Sequence, residues 1–556
     1  MSEPTAGDVA FACMAELVDE LARGGVDAVC ISPGSRSTPL VLAFSRHGAF
    51  DVRVILDERS AAFFALGRAR ATHKPVALVC TSGTATANYL PAIIEASQSG
   101  VPLIALTADR PPSLRGTGAN QTIDQRQLYG GYARLFVDAG VPRAHTHAAE
   151  QWRALGRQIL KASATGPVHL NLAFDEPLTP TGLTIDLGRS DPRPPQKPQA
   201  PVLNVGTVGE VLANERGVIV AGQIEDDAGP IVALAERLGW PLIAEPLSGA
   251  RLPGIALAAG QALLADDRFA QAHAPEVVLQ FGGTPTSRAT QRFVDSAERL
   301  VVAGPRAADP SRKAAKTLVG PVGTIARSLA DVVSQSGEGS WFEEWSAADG
   351  VARSALDVFL DAEKQPFEVR VARDIPAAVP PGGTLVVSSS TPVRDLDFAM
   401  APRTDLRVLA NRGASGIDGF VSTVLGVASA GAPCVALTGD LSLLHDASGF
   451  LWSARRAEPV AFVVLNNDGG GIFDLLPSAS LPEHESHFVT PHGIDLRALA
   501  EAAGVGYERA PDPVPFLVEE PKTTMIVEVP IDRARAVRRR KALKKAIATA
   551  LAAGES

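Results

Sequence analysis

APCVALTGDLSLLHDASGFLWSARRAEPVAFVVLNN, residues 432–467, carries two apolar runs that each end in oxygen-bearing side chains. APCVALTGD (432–440) and PVAFVVLNN (459–467) read as strands flanking a helix-like LLHDASGFLWSARRA (443–457), which makes one βαβ unit. Such a unit sets the ends of its two strands side by side at the carboxyl edge of the sheet, where open α/β folds bind ligands. Asp440 and Asn467 are therefore expected to be neighbours. A carboxylate, an amide oxygen and a backbone carbonyl from the following glycine-rich turn at Gly469 are hard oxygen donors suited to Mg²⁺ holding a diphosphate. An ordinary polar loop after each strand would carry the same residues.

The same alternation recurs outward from this unit. DAVCISPG, VRVILDER, KPVALVCTSG and VPLIALTADR read as strands between residues 27 and 110, separated by helix-like SRSTPLVLAFSRH, SAAFFALGRARAT and TATANYLPAIIEASQSG. Continuous apolar strands alternating with helices imply a parallel sheet covered on both faces. The Pro-rich DLGRSDPRPPQKPQAP (186–201) has the composition of a linker. A second block has RGVIVAGQ, PLIAEPLS, EVVLQFGG and RLVVAGP as strands; a third includes GTLVVSSS, LRVLANRG, the opening βαβ unit and TTMIVEVP. The expected architecture is three doubly wound parallel-sheet α/β domains, 1–188, 203–335 and 336–556, with the linker at 189–202.

Composition narrows the class. A chain of 556 residues with 46% hydrophobic and 20% charged residues buries a large core and divides into several domains. Its N-terminus is acidic where a secretory signal is basic, and no apolar run reaches the roughly 18 residues that span a bilayer, so a cytoplasmic protein without an integral membrane segment is expected. The four cysteines lack CxxC spacing, which argues against a disulfide or zinc framework. A net charge of −9 argues against general nucleic-acid binding yet permits a local Arg cluster to take anions. The histidines of PEHESHFVTPHG lack helical presentation and are not expected to bind metal. The basic tail RARAVRRRKALKKAIATALAAG is expected as a solvated terminal helix, with an amphipathic helix on anionic lipid as the alternative.

Glu58, at the end of VRVILDER, is the acid of interest in the first block. A strand-end acid could hold a ribose hydroxyl in a dinucleotide fold, but SPGSRSTP lacks the GxGxxG turn that such a site needs. It could also pair with Arg59 or Arg110, because a buried carboxylate without a partner is costly.

Gly439-Asp440 followed by Asn466-Asn467 resembles the signature of thiamine-diphosphate-dependent enzymes, and Glu58 matches the glutamate that bonds the cofactor's pyrimidine in that family. PGSRSTPL (33–40), DERSAAFFALG (57–67), TSGTATAN (81–88), ADRPP (108–112), GANQTIDQ (118–125), NRGASGIDG (411–419) and NNDGGGIF (466–473) resemble, in order and spacing, the family of 2-succinyl-5-enolpyruvyl-6-hydroxy-3-cyclohexene-1-carboxylate synthases of menaquinone biosynthesis. The middle block matches only in outline.

This resemblance implies a transferase that decarboxylates 2-oxoglutarate and adds the remainder to isochorismate. Its cofactors would be thiamine diphosphate and Mg²⁺, with Mn²⁺ able to substitute, in a homodimer or homotetramer. It assigns Ser390, Arg394 and Arg412 to the oxo acid or its adduct, and Ser35, Arg36, Arg110, Asn120 and Gln121 to isochorismate. Arg288 stands where the family can carry Lys, keeping the charge but changing its geometry. Ile417 would be the wedge that bends the cofactor; Ile472, Phe473 and Leu476 would line the thiazolium and diphosphate. Gly439, Asp440, Asn467 and Gly469 would hold the diphosphate end, the last three through the metal. Arginine suits two dianionic substrates because its planar fork binds carboxylate bidentately. Another thiamine-dependent carboligase such as an acetolactate synthase, or a non-catalytic protein keeping the fold, are the alternatives.

Overall fold

Apolar runs that alternate with amphipathic helices can be buried only by layering, and the chain does so three times. The computed structural model describes residues 3–187, 208, 212, 216–306, 308–333, 339–453, 458–518 and 522–554. The expected linker at 189–202 lies outside these residues.

The first sheet contains β1 (Ala28–Ile31), β2 (Asp51–Val54), β3 (Val76–Cys80), β4 (Leu103–Asp109), β5 (Phe136–Asp138) and β6 (Val168–Ala173), in the order β2-β1-β3-β4-β6-β5. The second contains β7 (Gly217–Ala221), β8 (Leu242–Ala244), β9 (Val277–Phe281), β10 (Arg299–Gly304) and β11 (Ala314–Val319), ordered β11-β10-β9-β7-β8. The third contains β12 (Thr384–Val387), β13 (Arg407–Leu409), β14 (Cys434–Gly439), β15 (Val460–Asn466), β16 (Gly506–Arg509) and β17 (Met525–Pro530), ordered β13-β12-β14-β15-β17-β16. Every strand pair is parallel. The first and third sheets thus repeat one topology, which reverses direction between its first and third strands, at β1/β3 and β12/β14. That reversal opens a crevice at the carboxyl edge.

The opening βαβ unit is present, with β14 and β15 paired from Cys434↔Val460 to Gly439↔Leu465. Its connecting helix is not continuous. It runs Asp440–His445, tightens to a 3₁₀ turn at Ala447–Gly449 and resumes at Phe450–Ser453. The Asp446 carboxylate leaves the helix to accept the Ser422 N–H at 2.7 Å, so a tertiary bond competes with the helical ladder.

The three layers share their cores. The helix Glu58–Thr72 lies against the helix Phe420–Ala428, joining apolar residues of the first and third blocks in one cluster. Gly67 and Gly426 permit this approach: a Cβ on Gly67 would stand 2.0 Å from the Thr423 carbonyl oxygen, and one on Gly426 would stand 2.0 Å from that of Phe64. The basic C-terminal helix Arg533–Gly554 is docked rather than solvated. It packs on the helix Ser340–Asp361, buries Ala536, Leu543, Ile547 and Leu551, and its Arg540 reaches the Asp395 carboxylate at 2.6 Å.

Candidate active site

β14 ends at Gly439, and Asp440 opens the following helix with its carboxylate almost wholly buried. Burial pushes that carboxyl up from its ordinary range, while N–H donors pull it back: Gly469 N–H at 2.9 Å, Leu441 N–H at 2.7 Å, and the His492 imidazole at 3.3 Å. Asn467, just past the end of neighbouring β15, has its Oδ1 buried without a hydrogen-bond partner. An orphaned amide oxygen costs free energy that a cation would offset. Gly469 has φ +134°, and a Cβ there would stand 2.3 Å from the Val489 carbonyl oxygen, so the turn admits only glycine. Asp440, Asn467 and a turn carbonyl are an all-oxygen set, and their chemistry fits Mg²⁺. Among the described residues no group of three or more His, Cys, Asp or Glu is placed to hold a metal. The histidines of the 484–492 stretch disperse: His484 bonds Asp474 at 2.7 Å, His487 bonds Ser486, and His492 turns to Asp440. Ile472, Phe473 and Leu476 lie half-buried on the turn that follows, with the Phe473 ring 5.6 Å from that of Phe488.

Across the crevice from β14, β12 leads into Ser390, a non-glycine residue held at φ 76°. Left-handed backbone at such a residue is strained and concentrates at functional sites. Arg394, one turn later, donates to the Ser390 carbonyl at 2.6 Å. Arg412 reaches Ser389 Oγ and Thr286 Oγ1, both at 3.5 Å. Burial, then the charges of Arg412 and Arg288, make the Arg394 guanidinium easier to deprotonate than usual, against the pull of Asp395 and Glu245, so Arg394 lies within electrostatic reach of both other cations. Among the described residues none of the three forms a salt bridge. Ile417 is half-buried on the same 411–419 loop as Arg412.

The first sheet gathers the remaining residues at its own carboxyl edge. Arg36 is buried and committed: it donates to the Phe174 carbonyl at 3.1 Å and to Glu176 at 2.7 Å. Arg110 donates to Ser82 Oγ and, at 2.8 Å, to the Gln121 carbonyl, while Gln121 Nε2 donates to the Ser82 carbonyl at 3.0 Å. Ser35, Asn120 and Gln121 are exposed. Glu58 is the first residue of its helix, behind an Asp57 cap that accepts the N–H groups of Arg59 and Ser60. Its carboxylate is half-buried and accepts Asn88 Nδ2 at 3.4 Å. Neither expected arginine pairs with it: Arg59 donates to the His445 carbonyl at 3.1 Å, and Arg110 is engaged as above.

The chain therefore brings Asp440, Asn467 and Gly469 together, and likewise Arg288, Ser390, Arg394 and Arg412, and likewise Arg36, Arg110 and Gln121. Among the described residues no hydrogen bond or ion pair joins Glu58 to Asp440, Asn467 or Gly469. Sequence reading missed Ser82, Thr286 and Glu95, and it set His492 aside as a metal ligand without foreseeing its contact with Asp440. Glu95 had a visible signal: an acid on the apolar LPAIIEASQS helix must be buried and must find donors.

Residues 13–128 match the family described as "Thiamine pyrophosphate enzyme, N-terminal TPP binding domain". Residues 198–387 match "Middle domain of thiamine pyrophosphate", and residues 399–525 match "Thiamine pyrophosphate enzyme, C-terminal TPP binding domain". Relatives span nearly the whole chain. A 2-succinyl-5-enolpyruvyl-6-hydroxy-3-cyclohexene-1-carboxylate synthase of Thermobifida fusca (strain YX) is 44% identical over 96% of this chain and 98% of its own. Proteins of the same name from Haloarcula marismortui and Rubrobacter xylanophilus are 40% and 44% identical, over 93% and 88% of this chain and 94% and 89% of theirs.

Proposed function

This chain belongs to the thiamine pyrophosphate enzymes and, among them, to the 2-succinyl-5-enolpyruvyl-6-hydroxy-3-cyclohexene-1-carboxylate synthases, from which we propose that it joins 2-oxoglutarate, with loss of CO₂, to isochorismate in menaquinone biosynthesis. The observation that carries the substrate reading is the pair Arg394 and Arg412, which form no salt bridge among the described residues, beside the strained Ser390 on the sheet edge that also holds Asp440 and Asn467, with Arg288 of the second block within electrostatic reach of Arg394. A site built for dicarboxylates needs such uncommitted forks.

When bound, thiamine diphosphate supplies the electron sink that lets a 2-oxo acid lose CO₂ and react as a nucleophile. Glu58 would hold a proton against the cofactor's pyrimidine, and among the described residues its half-buried carboxylate has no cationic partner. Asp440, Asn467 Oδ1 and the Gly469 carbonyl would hold Mg²⁺, or Mn²⁺ in its place, and with it the diphosphate, beside Gly439 at the strand end. Ile417 would be the apolar wedge against the cofactor, and Ile472, Phe473 and Leu476 would exclude water from it. Ser390, Arg394 and Arg412 hold the oxo acid; Ser35, Arg36, Arg110, Asn120, Gln121 and Arg288 face isochorismate, with Arg36 shared between substrate and Glu176.

The proposed domains are 1–188, 203–335 and 336–556 around a 189–202 linker, a division supported by the three separate sheets. The proposed assembly is a homodimer or homotetramer with each cofactor between the first domain of one copy and the third of another. Val54 and Leu56, beside Glu58, and Leu451 support it, because they remain 52%, 55% and 52% exposed on the single chain. Among the described residues no helix is long and apolar enough to cross a membrane. Four unpaired thiols support a reducing, cytoplasmic setting.

The test supplies purified protein with thiamine diphosphate, Mg²⁺, 2-oxoglutarate and isochorismate and follows isochorismate by absorbance and product by mass. Glu58→Gln is expected to abolish turnover while metal-dependent cofactor binding persists, and chelation to silence the wild type until Mg²⁺ returns. Near-normal turnover by Glu58→Gln refutes the assignment. Acetolactate formation from pyruvate would favour the neighbouring carboligases, and cofactor binding without CO₂ release would favour a non-catalytic protein.

A further inference from the structure

Glu95 lies on the helix Leu90–Ser99 of the first block with only 3% of its surface exposed. Burying a carboxylate this deeply is tolerable only if its lone pairs are filled. Its Oε1 accepts Ser99 Oγ at 2.9 Å, Arg70 Nη2 at 3.3 Å and, from the third block, the Gly413 N–H at 2.9 Å. Its Oε2 accepts the Ala414 N–H at 2.6 Å.

The buried Arg70 completes the grip from the other side. Its Nη1 donates to the Ala410 carbonyl at 2.6 Å and to Asn411 Oδ1 at 2.9 Å, and its Nε lies 3.2 Å from Glu225 of the middle block. Asn411 is tied in turn to Thr423 Oγ1 at 2.9 Å. Residues 410, 411, 413 and 414 are thus fastened, and Arg412 is the one left between them. Gly413 is required for this contact, since a Cβ there would stand 2.6 Å from Ser99 Oγ and 2.8 Å from the Glu95 carbonyl oxygen.

We propose that Glu95 is a positioning residue for Arg412: from the first block it fixes the backbone on which the third block presents its oxo-acid arginine. This rests on the assignment of Arg412 to 2-oxoglutarate given above. The competing account, a bond that merely glues two blocks together, predicts a different kinetic pattern. Glue would affect both substrates and turnover alike; positioning of one arginine affects the substrate that arginine holds.

The experiment measures kcat and both KM values of the holoenzyme for Glu95→Gln, Gly413→Ala, Arg412→Ala and the double variant Glu95→Gln/Arg412→Ala. Glutamine keeps the shape but turns an amide N–H toward a backbone N–H. Gly413→Ala dislodges the same loop by crowding the Glu95 backbone and Ser99 while leaving the Glu95 carboxylate its charge, so it serves if the glutamine variant does not fold. Expected for each of these two is a rise of about 10-fold or more in the KM for 2-oxoglutarate, the scale of a lost charged hydrogen bond, with the KM for isochorismate unchanged. In the Arg412→Ala background the Glu95→Gln effect should vanish, because coupled residues are not additive. An unchanged 2-oxoglutarate KM in Arg412→Ala sinks the assignment of that arginine. A raised KM in Arg412→Ala alone, full additivity in the double variant, or parallel loss for both substrates overturns the role of Glu95.

Discussion

Gly67→Ala places one methyl group where two helices touch backbone to backbone. The new Cβ would lie 2.0 Å from the Thr423 carbonyl oxygen, 2.8 Å from its carbon and 3.0 Å from the Thr423 Cα. Ordinary contact needs about 3.5 Å, so the helices Glu58–Thr72 and Phe420–Ala428 must part by roughly 1.5 Å. No side-chain rotation relieves the clash, since the atoms struck belong to the main chain. Nor can the first helix tilt freely, because Phe63, Phe64, Ala65, Leu66 and Ala69 around the site are all buried. Overpacking costs about 1–3 kcal/mol, and a backbone obstacle belongs at the upper end. The helix propensity regained by alanine returns about 1 kcal/mol at most. A net loss of about 2 kcal/mol corresponds to a fall of roughly 4–8 °C in the melting temperature of a 150–250-residue unit. Gly350→Ala is the control: it sits exposed in the helix Ser340–Asp361, nothing lies within 4 Å of its Cβ, and it should hold or raise the melting temperature. Because Glu58 begins the displaced helix, turnover of the Gly67 variant should fall by about 10-fold or more, as misplacement by about 1 Å does in catalytic sites. Thermal unfolding followed by circular dichroism, with turnover measured well below the transition, decides the matter. A Gly67→Ala protein as stable and as active as the wild type would refute the close helix contact.

Asp446 gives a pH prediction. Burial pushes its carboxyl up to about 6 from the ordinary 3.8, against the pull of the Ser422 N–H and Arg59. The native state therefore binds the proton more tightly than the unfolded chain. This contribution is complete below the unfolded value and is lost as pH rises through about 6. Asp446→Asn, which mimics the protonated form and can still accept the Ser422 N–H, should stabilise the protein above that pH by up to about 3 kcal/mol and not at all near pH 3. Equal effects at both ends of the range, read by denaturant unfolding, would contradict this. The thiols of Cys13, Cys30, Cys80 and Cys434 are all buried, and burial pushes each up to about 12. A chromogenic disulfide reagent at pH 8 should label none of them in the native protein and all of them after denaturation; rapid stoichiometric labelling of the native protein would disprove that burial.

Strands such as β3, β4, β14 and β15 were legible because they are covered on both faces and must be continuously apolar. β5, β11 and β16 escaped notice because they are sheet edges, where half the side chains meet water and the apolar run breaks up. β6 is central and buried yet contains His169 and Asn171, whose polarity is absorbed by Thr107 in the adjacent strand. The tail helix read as solvated because its eight arginines and lysines say nothing of the carboxylates Glu363, Glu368 and Asp395 that wait for them 145 or more residues away.

The site divides along the same line. Asp440 and Asn467 follow from strand ends alone, since a right-handed parallel crossover leaves few places for those ends to go. Glu95, Arg70 and His492 do not: Glu95 meets Ala414 across 319 positions and His492 meets Asp440 across 52. Periodicity is written in the covalent neighbourhood of each residue, so layers, strands and ligand edge could be read along the chain. A hydrogen bond between distant segments has no local signature, because either group is equally satisfied by water until folding removes the water and leaves one partner within reach.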